Sequence, residues 1–223
     1  MQLQEALSTL SIWCVVMPLL TGCRYFRMLN ADSRIIVGVV ALAAIPQLLR
    51  AYIDSGALLN VTYNLYTPLE VVLLYSLFSK RIVQRNRRRI FIVTAVFSCM
   101  SYFMLTAWYG ISSRFINEAV SINDLIYTGW ALLVILEQYE VDEGGINIRT
   151  PFFWYLTGLI LYAPCTMLVF SLWRYIRLHP DAVIANIWII QSIFNITMYL
   201  LFTIGILMDH EEGSRKNPTT DYE

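Results

Sequence analysis

Seven apolar runs separated by short polar segments dominate the pattern of this 223-residue chain. A hydrocarbon layer of ~30 Å needs about 20 helical residues, and each run is close to that length. Helices satisfy their own backbone hydrogen bonds in lipid, so the pattern predicts an all-α polytopic membrane protein with seven transmembrane helices. The runs cover residues 7–23, 35–53, 61–79, 90–109, 119–137, 151–173 and 184–208.

The composition agrees with a membrane location and limits the domain organisation. Hydrophobic residues make up 57% of the chain and charged residues 14%, whereas soluble domains usually have ~45–50% and ~25%. The segments between the runs are short, and residues 209–223 are too polar and too few to fold alone. We therefore expect one membrane domain over residues 1–208 and a polar, disordered cytoplasmic tail over residues 209–223.

The distribution of Lys and Arg predicts the orientation of the helices. When the loops are divided by side, one side carries 12 of the 16 basic residues. The positive-inside rule places this side in the cytoplasm and the amino terminus outside. Residues 20–23 (LTGC) match the cleavage and acylation motif of bacterial lipoproteins, but no Lys or Arg precedes them. We therefore expect the first run to be an ordinary transmembrane helix.

Two ionisable side chains, Glu70 and Asp124, fall inside the runs. Such groups are costly at membrane depth and usually face the bundle interior, which makes them candidates for function. Tyr63, Thr67 and Glu70 lie at i, i+4 and i+7, on one face of the third predicted helix. Since no Lys or Arg occurs at that depth, we expect Glu70 to be protonated or hydrogen-bonded to Asn or Tyr.

The seventh run carries a comparable polar stripe that includes Gln191 and Asn195. The inferred depths predict an outward-facing polar cavity that binds a small-molecule ligand, with Glu70 and Asn195 at its floor. Alternatively, the amides and hydroxyls hydrogen-bond between helices as packing contacts, worth only ~0.6 kcal/mol each. The predicted ligand-binding residues are Tyr63, Asn64, Thr67, Glu70, Asp124, Gln191 and Asn195.

The run of residues 80–89 contains six basic residues and is predicted to be cytoplasmic. It either fixes the topology of the neighbouring helices or binds anionic lipid headgroups. The residues predicted to contact lipid are Arg85, Arg87, Arg88 and Arg89. An acidic segment on the same side is expected to pair with this run or with a cytoplasmic protein partner; it contains Glu137, Glu140, Asp142 and Glu143.

Several classes of function lack their required residues. The only lysines, Lys80 and Lys216, lie outside the runs, which excludes a retinal Schiff base. His179 and His210 lie apart in a loop and the tail, which argues against a metalloenzyme. No nucleotide-binding glycine loop or nucleophile motif is present, and neither charge run forms a nucleic-acid surface. We expect no cofactor, no metal and no nucleic-acid partner.

Three segments, YNLYTPLE (63–70), FFWYLTGLILY (152–162) and IWIIQSIFNI (187–196), resemble segments of a group of uncharacterised seven-helix membrane proteins common in Bacteroidota. The resemblance implies a multi-pass protein of the bacterial inner membrane. It supplies no activity and no catalytic residues.

Three functions are compatible with these features. Seven helices with an outer polar cavity and charged cytoplasmic loops favour a ligand-sensing or signalling bundle. A small-molecule transporter of 3+1+3 helix design is an alternative, since Pro46-Gln47 is similar to the PQ dipeptide of PQ-loop transporters and YNL (63–65) echoes FNI (194–196). A lipid-processing membrane enzyme of the eight-helix lysoplasmalogenase type is a third, and it would use Glu70 and Asp124.

Overall fold

The computed structural model describes residues 2–53, 55–141, 147–172 and 182–216, and these residues form an all-α structure. The predicted end of the sixth run at residue 173 lies outside the described residues, as do Asp142 and Glu143. The eight helices within the described ranges are α1 (Gln2–Trp13), α2 (Val16–Tyr25), α3 (Ala31–Tyr52), α4 (Gly56–Ser79), α5 (Arg85–Tyr109), α6 (Asn117–Val141), α7 (Pro151–Ser171) and α8 (Ala182–Lys216).

α1 and α2 together form one broken apolar segment. The break follows from Pro18, whose ring would clash in a continuous helix with the carbonyl of Cys14, four residues earlier. The chain turns at Cys14 and Val15 instead, and the Met17 N–H donates to the Cys14 carbonyl at 3.2 Å. The whole segment Gln4–Tyr25 is long and apolar enough to cross a membrane.

Six segments among the described residues are long and apolar enough to cross a membrane, so the predicted all-α membrane architecture is confirmed at this level. α4 is not among them. It is 24 residues long, which is sufficient to span a bilayer, but side chains such as Asn60, Asn64 and Glu70 lower its mean hydropathy. The six segments are Gln4–Tyr25, Ala31–Arg50, Arg85–Tyr109, Asn117–Glu140, Pro151–Ser171 and Ile187–Ser214.

Apolar side chains cover the outside of the bundle. On α5, Val93, Phe97 and Met104 are exposed, whereas Asn123 and Asp124 on α6 are buried. This distribution is the reverse of that in a soluble protein. It is typical of a helical bundle surrounded by lipid, in which polar groups turn inward.

The helices pack in chain order around a closed ring. From α3 to α8 each helix contacts the next, and α8 also packs against α1 and α2. The Trp130 ring on α6 stacks on Phe91 of α5 with centroids 5.2 Å apart, and it meets Phe78 of α4 at 6.2 Å. Tyr127, 5.9 Å from Trp130, connects this aromatic core to the polar cavity described below.

We call the end of the bundle that contains residues 26–30, 80–84 and 147–150 the basic end. There α3 begins at Asn30, whose Oδ1 accepts the Ser33 N–H at 2.9 Å as a helix cap. The Asp209 carboxylate of α8 accepts the Asn30 backbone N–H at 2.8 Å and its side-chain N–H at 2.5 Å. α8 does not end at Asp209 but continues through Lys216, so residues 209–216, predicted to be disordered, are helical. Residues 217–223 lie outside the described residues.

Candidate functional site

A polar cavity of about 1420 Å³ opens at the end of the bundle opposite the basic end. Its walls come from α1, α3, α4, α6, α7 and α8, with the segment between α5 and α6 at its mouth. Polar side chains line it from the mouth to the interior. The mouth includes Arg50, Asn60, Arg114 and Asn117, and the inner part includes Tyr66, Glu70, Asp124, Tyr127, Asn195 and Tyr199.

α4 contributes a polar wall because four of its side chains repeat at helical spacing. Tyr63, Tyr66, Thr67 and Glu70 occupy positions i, i+3, i+4 and i+7 and therefore share one face, and all four line the cavity. The Thr67 hydroxyl donates to the Tyr63 carbonyl at 3.1 Å, so its donor is satisfied within the helix. The side chains of the two tyrosines and Glu70 are not satisfied in this way, and they line the interior of the cavity.

Two tyrosines hold the Glu70 carboxyl. The Tyr66 hydroxyl, one turn earlier on α4, donates to Oε1. The Tyr127 hydroxyl of α6 donates to Oε2 at 3.4 Å. The expectation that Glu70 is hydrogen-bonded to tyrosine is confirmed, and both of its oxygens are engaged.

Asp124 has a different environment. Its side chain is only 5% exposed, and its Oδ2 has no hydrogen-bond partner among the described residues. The neighbouring Asn123 accepts a hydrogen bond from Ser98 at 2.5 Å through Oδ1, while its Nδ2 has no partner in the described part of the chain. Asn123 and Asp124, adjacent residues that line the cavity, therefore carry a buried donor and a buried acceptor without a partner among the described residues.

α3, α8 and α1 complete the polar wall. The Asn195 side chain donates to Ser11 Oγ at 2.7 Å, and the Gln47 amide donates to the Tyr199 hydroxyl at 2.6 Å. The amide oxygens of Asn195 and Gln47 have no hydrogen-bond partner among the described residues. Gln191 also lines the cavity and is half-buried.

The structure brings six of the seven residues predicted for the ligand site to this cavity, namely Tyr63, Thr67, Glu70, Asp124, Gln191 and Asn195. Asn64 does not line it. Its Nδ2 donates to the carbonyls of Ile111 and Arg114 at 2.8 and 2.9 Å, and its Oδ1 accepts the Ile116 N–H at 3.1 Å. Asn64 holds the segment between α5 and α6.

Sequence reasoning missed the two tyrosines that bind Glu70. Helical spacing could have placed both near a carboxyl, because Tyr66 lies four residues before Glu70 and Tyr127 three residues after Asp124. The polar pattern indicated where the cavity lies, but not which side chains pair within it. Pairing depends on the rotation of each helix about its axis.

At the basic end, the Glu137 carboxylate joins α6 to the start of α5. It is 2% exposed and accepts the N–H groups of Val83 and Gln84 at 2.8 and 2.9 Å, just before α5 begins. Arg87 pairs with Glu137 at 2.7 Å and with Glu140 at 2.5 Å. The predicted pairing of the acidic segment with the basic run is confirmed for these residues.

A second ion-pair cluster joins α3 to the end of α4. Asp32 accepts a hydrogen bond from Arg81 and lies 3.8 Å from Lys80. The Arg81 guanidinium also lies over the Phe152 ring, 4.4 Å from its centroid. Of the four arginines predicted to contact lipid, Arg87 is engaged in the ion pairs above, whereas Arg85, Arg88 and Arg89 are exposed.

In the part of the chain that the structure describes, no three His, Cys, Asp or Glu side chains converge closely enough to hold a metal ion. His210 stacks on Tyr25 with ring centroids 3.8 Å apart. Its position is at the basic end, away from the cavity.

Comparison of this chain with protein-family models finds no matching family. Comparison with curated proteins and with solved structures likewise finds no match. The cavity and its polar groups are therefore the features from which a function can be inferred.

Proposed function

We propose that this chain is a seven-span protein of a bacterial inner membrane that binds a small molecule from the outer side and senses it. In this proposal α4 is the seventh span, between its neighbours α3 and α5. The basic end lies in the cytoplasm, in accord with the positive-inside rule. The cavity then opens outward.

The concentration of unpartnered buried polar atoms on the cavity wall carries the proposal. Of eight such side-chain atoms among the described residues, five belong to residues that line the cavity. A buried polar group left unpaired costs ~1–3 kcal/mol, so a ligand that pairs with these atoms would bind favourably. The five atoms are Gln47 Oε1, Ser121 Oγ, Asn123 Nδ2, Asp124 Oδ2 and Asn195 Oδ1.

Two helices connect the cavity to the basic end and support a sensing role. α6 carries Asp124 on the cavity wall and Glu137 at the basic end, about 20 Å apart along the helix at ~1.5 Å per residue. α4 carries Glu70 and ends beside Arg81, which pairs with Asp32. A ligand that shifts either helix would therefore alter the ion pairs at the basic end.

The exposed arginines at the basic end could transmit a change in these ion pairs to a binding partner. Arg85, Arg88 and Arg89 are exposed beside the Glu137 cluster. In the proposed orientation they face anionic lipid headgroups or a cytoplasmic protein partner. A change in the Arg87 ion pairs would move all three, since they share the first turns of α5.

A lipid-processing enzyme is a second candidate, because its two required carboxyls, Glu70 and Asp124, line the same cavity. Transport receives less support. The sequence similarity between residues 63–65 and 194–196 would mark equivalent positions in a structural repeat. The asparagines of the two segments, however, have different environments. Asn64 binds a loop backbone, whereas Asn195 binds Ser11 and lines the cavity.

The test is identification by mass spectrometry of small molecules that co-purify with the full-length protein in mild detergent. Ser192→Trp would place an indole ring in the cavity from α8. Ile193→Trp, at the adjacent exposed position, is the matched control. We expect at least one compound to be retained by the wild type and by Ile193→Trp, and to be lost from Ser192→Trp.

A set of bound compounds that is identical in all three proteins would overturn the proposal of a cavity ligand. The retained compound is then added to sealed vesicles containing the protein. Accumulation of the unchanged compound inside the vesicles would replace sensing by transport, and appearance of a chemically altered product would replace it by catalysis. Binding with neither outcome supports sensing.

A further inference from the structure

We infer that the cavity ligand is an organic ammonium ion, with Asp124 as its counter-ion. This inference rests on the proposed function and specifies the chemical class of the ligand. It follows from the balance of donors and acceptors on the wall, from the difference between the two carboxyls, and from the size and aromatic lining of the cavity.

The unpartnered atoms of the wall are mostly hydrogen-bond acceptors. Gln47, Asp124 and Asn195 each present an oxygen without a partner among the described residues. Asn123 presents a donor, and the Ser121 hydroxyl can serve as either. A ligand rich in N–H donors satisfies this wall, whereas a ligand made only of acceptors leaves most of it unpaired.

The two carboxyls differ in a way that selects Asp124 as the anchor. Both Glu70 oxygens accept hydrogen bonds from tyrosine hydroxyls. Asp124 is only 5% exposed, yet its Oδ2 has no such partner in the described residues. A buried carboxylate is costly unless a cation or hydrogen bonds compensate its charge. An ammonium group at Asp124 supplies both.

Protein cations do not fill this role among the described residues. Arg50 and Arg114 line the cavity only at its mouth. Arg114 pairs with Glu118 at 2.5 Å and lies over the Tyr109 ring, 3.6 Å from its centroid. The acidic groups of the inner cavity therefore favour a cationic ligand over an anionic one.

The size and lining of the cavity favour an organic cation over a metal ion. A volume of about 1420 Å³ is larger than the ~300–1,000 Å³ of typical small-molecule sites. It far exceeds the volume that a bare ion occupies. Aromatic rings surround the inner part, and such rings attract ammonium groups through cation–π interaction. The tyrosines that line the cavity include Tyr66, Tyr127, Tyr162 and Tyr199.

The experiment compares three probes that share a phenylethyl skeleton and differ in charge: 2-phenylethylamine, 2-phenylethanol and phenylacetate. Equilibrium dialysis measures their binding to the full-length protein in detergent micelles at pH 7. We expect the amine to bind at least tenfold more tightly than the alcohol or the acid. This comparison uses the wild type, so it does not depend on how a variant folds.

Two variants test the anchor. Asp124→Asn should weaken amine binding at least tenfold and leave binding of the alcohol unchanged. Asp209→Asn removes the charge of a buried carboxyl at the basic end and should leave amine binding unchanged. Equal binding of the amine and the alcohol, absence of amine binding, or equal amine affinity in Asp124→Asn would overturn the ammonium assignment.

Failure of this inference is distinguishable from failure of the proposed function. If a neutral or anionic compound co-purifies with the wild type and is lost from Ser192→Trp, the cavity binds a ligand but not an ammonium ion. If no compound responds to Ser192→Trp and the amine does not bind, both proposals fail.

Discussion

Asn64 and Glu70 lie on the same helix and have opposite roles. Asn64 is 1% exposed, and its side-chain N–H groups and oxygen hydrogen-bond to backbone groups of residues 111–116. Glu70 is held by two tyrosine hydroxyls and faces the cavity. A buried amide that pairs with a loop backbone stabilises the fold, whereas Glu70 pairs with tyrosines of the cavity wall.

Replacing Asn64 with Ala should lower the free energy of unfolding by about 2 kcal/mol, within the ~1–3 kcal/mol cost of leaving buried polar groups unpaired. Asn60, one turn earlier, donates a single 3.3 Å hydrogen bond to the Ser112 carbonyl. Asn60→Ala should therefore change stability by less than ~0.5 kcal/mol. Reversible unfolding in mixed SDS and mild-detergent micelles measures both. Equal losses would contradict the role assigned to Asn64.

The sequence was informative about which residues are polar at membrane depth, because the cost of such groups in lipid restricts them to the interior. It correctly brought Glu70 and Asp124 to one cavity. It did not separate Asn64 from that set, although Asn64 lies on the flank of the face that carries Tyr63, Thr67 and Glu70. The separation depends on the path of residues 111–116, which hydropathy does not encode.

At the scale of the elements, the apolar runs located the helices but not their ends. α5 begins at Arg85, whereas its apolar run begins at residue 90. Hydropathy detects the part of a helix that lipid contacts, while the polar turn before it is fixed by tertiary contacts. Basic side chains at a helix amino terminus are unfavourable to its dipole, and here the Glu137 carboxylate supplies the compensating charge beside that terminus.

The packing of α7 against α8 depends on Gly205. A Cβ at this position would meet the ring of Tyr155, which is fully buried and hydrogen-bonded through its hydroxyl to Ser33 at 2.7 Å. Because the ring is fixed, Gly205→Ala should destabilise the protein by ~1–3 kcal/mol through overpacking. Thermal unfolding in detergent, followed through exposure of buried cysteines, measures the change.

Gly129 on α6 is the matched control for this prediction. A Cβ there would meet nothing within 4 Å. Gly129→Ala should leave stability unchanged or raise it by up to ~1 kcal/mol, because Ala is the better helix former. A loss at Gly129 as large as that at Gly205 would mean that a factor other than the α7–α8 contact determines the response.

At the scale of the whole molecule, the two ends of the bundle differ in chemistry. Ion pairs and helix caps join neighbouring helices at the basic end, through Asp32, Glu137 and Asp209. The opposite end opens into the cavity. Such a molecule has one closed and one open end, so its orientation in the membrane decides to which compartment the cavity opens. The orientation depends in turn on whether α4 crosses the membrane.

Cysteine labelling at the two ends of α4 tests both points. Ser55 and Gln84 are exposed and flank α4, and Cys23→Ser removes the exposed native thiol. With a membrane-impermeant maleimide, Ser55→Cys should react in intact cells and Gln84→Cys only after the membrane is opened, because the positive-inside rule predicts a cytoplasmic basic end. The reverse pattern would turn the cavity toward the cytoplasm. Reaction of both from the same side would mean that α4, with its polar wall, does not span the bilayer.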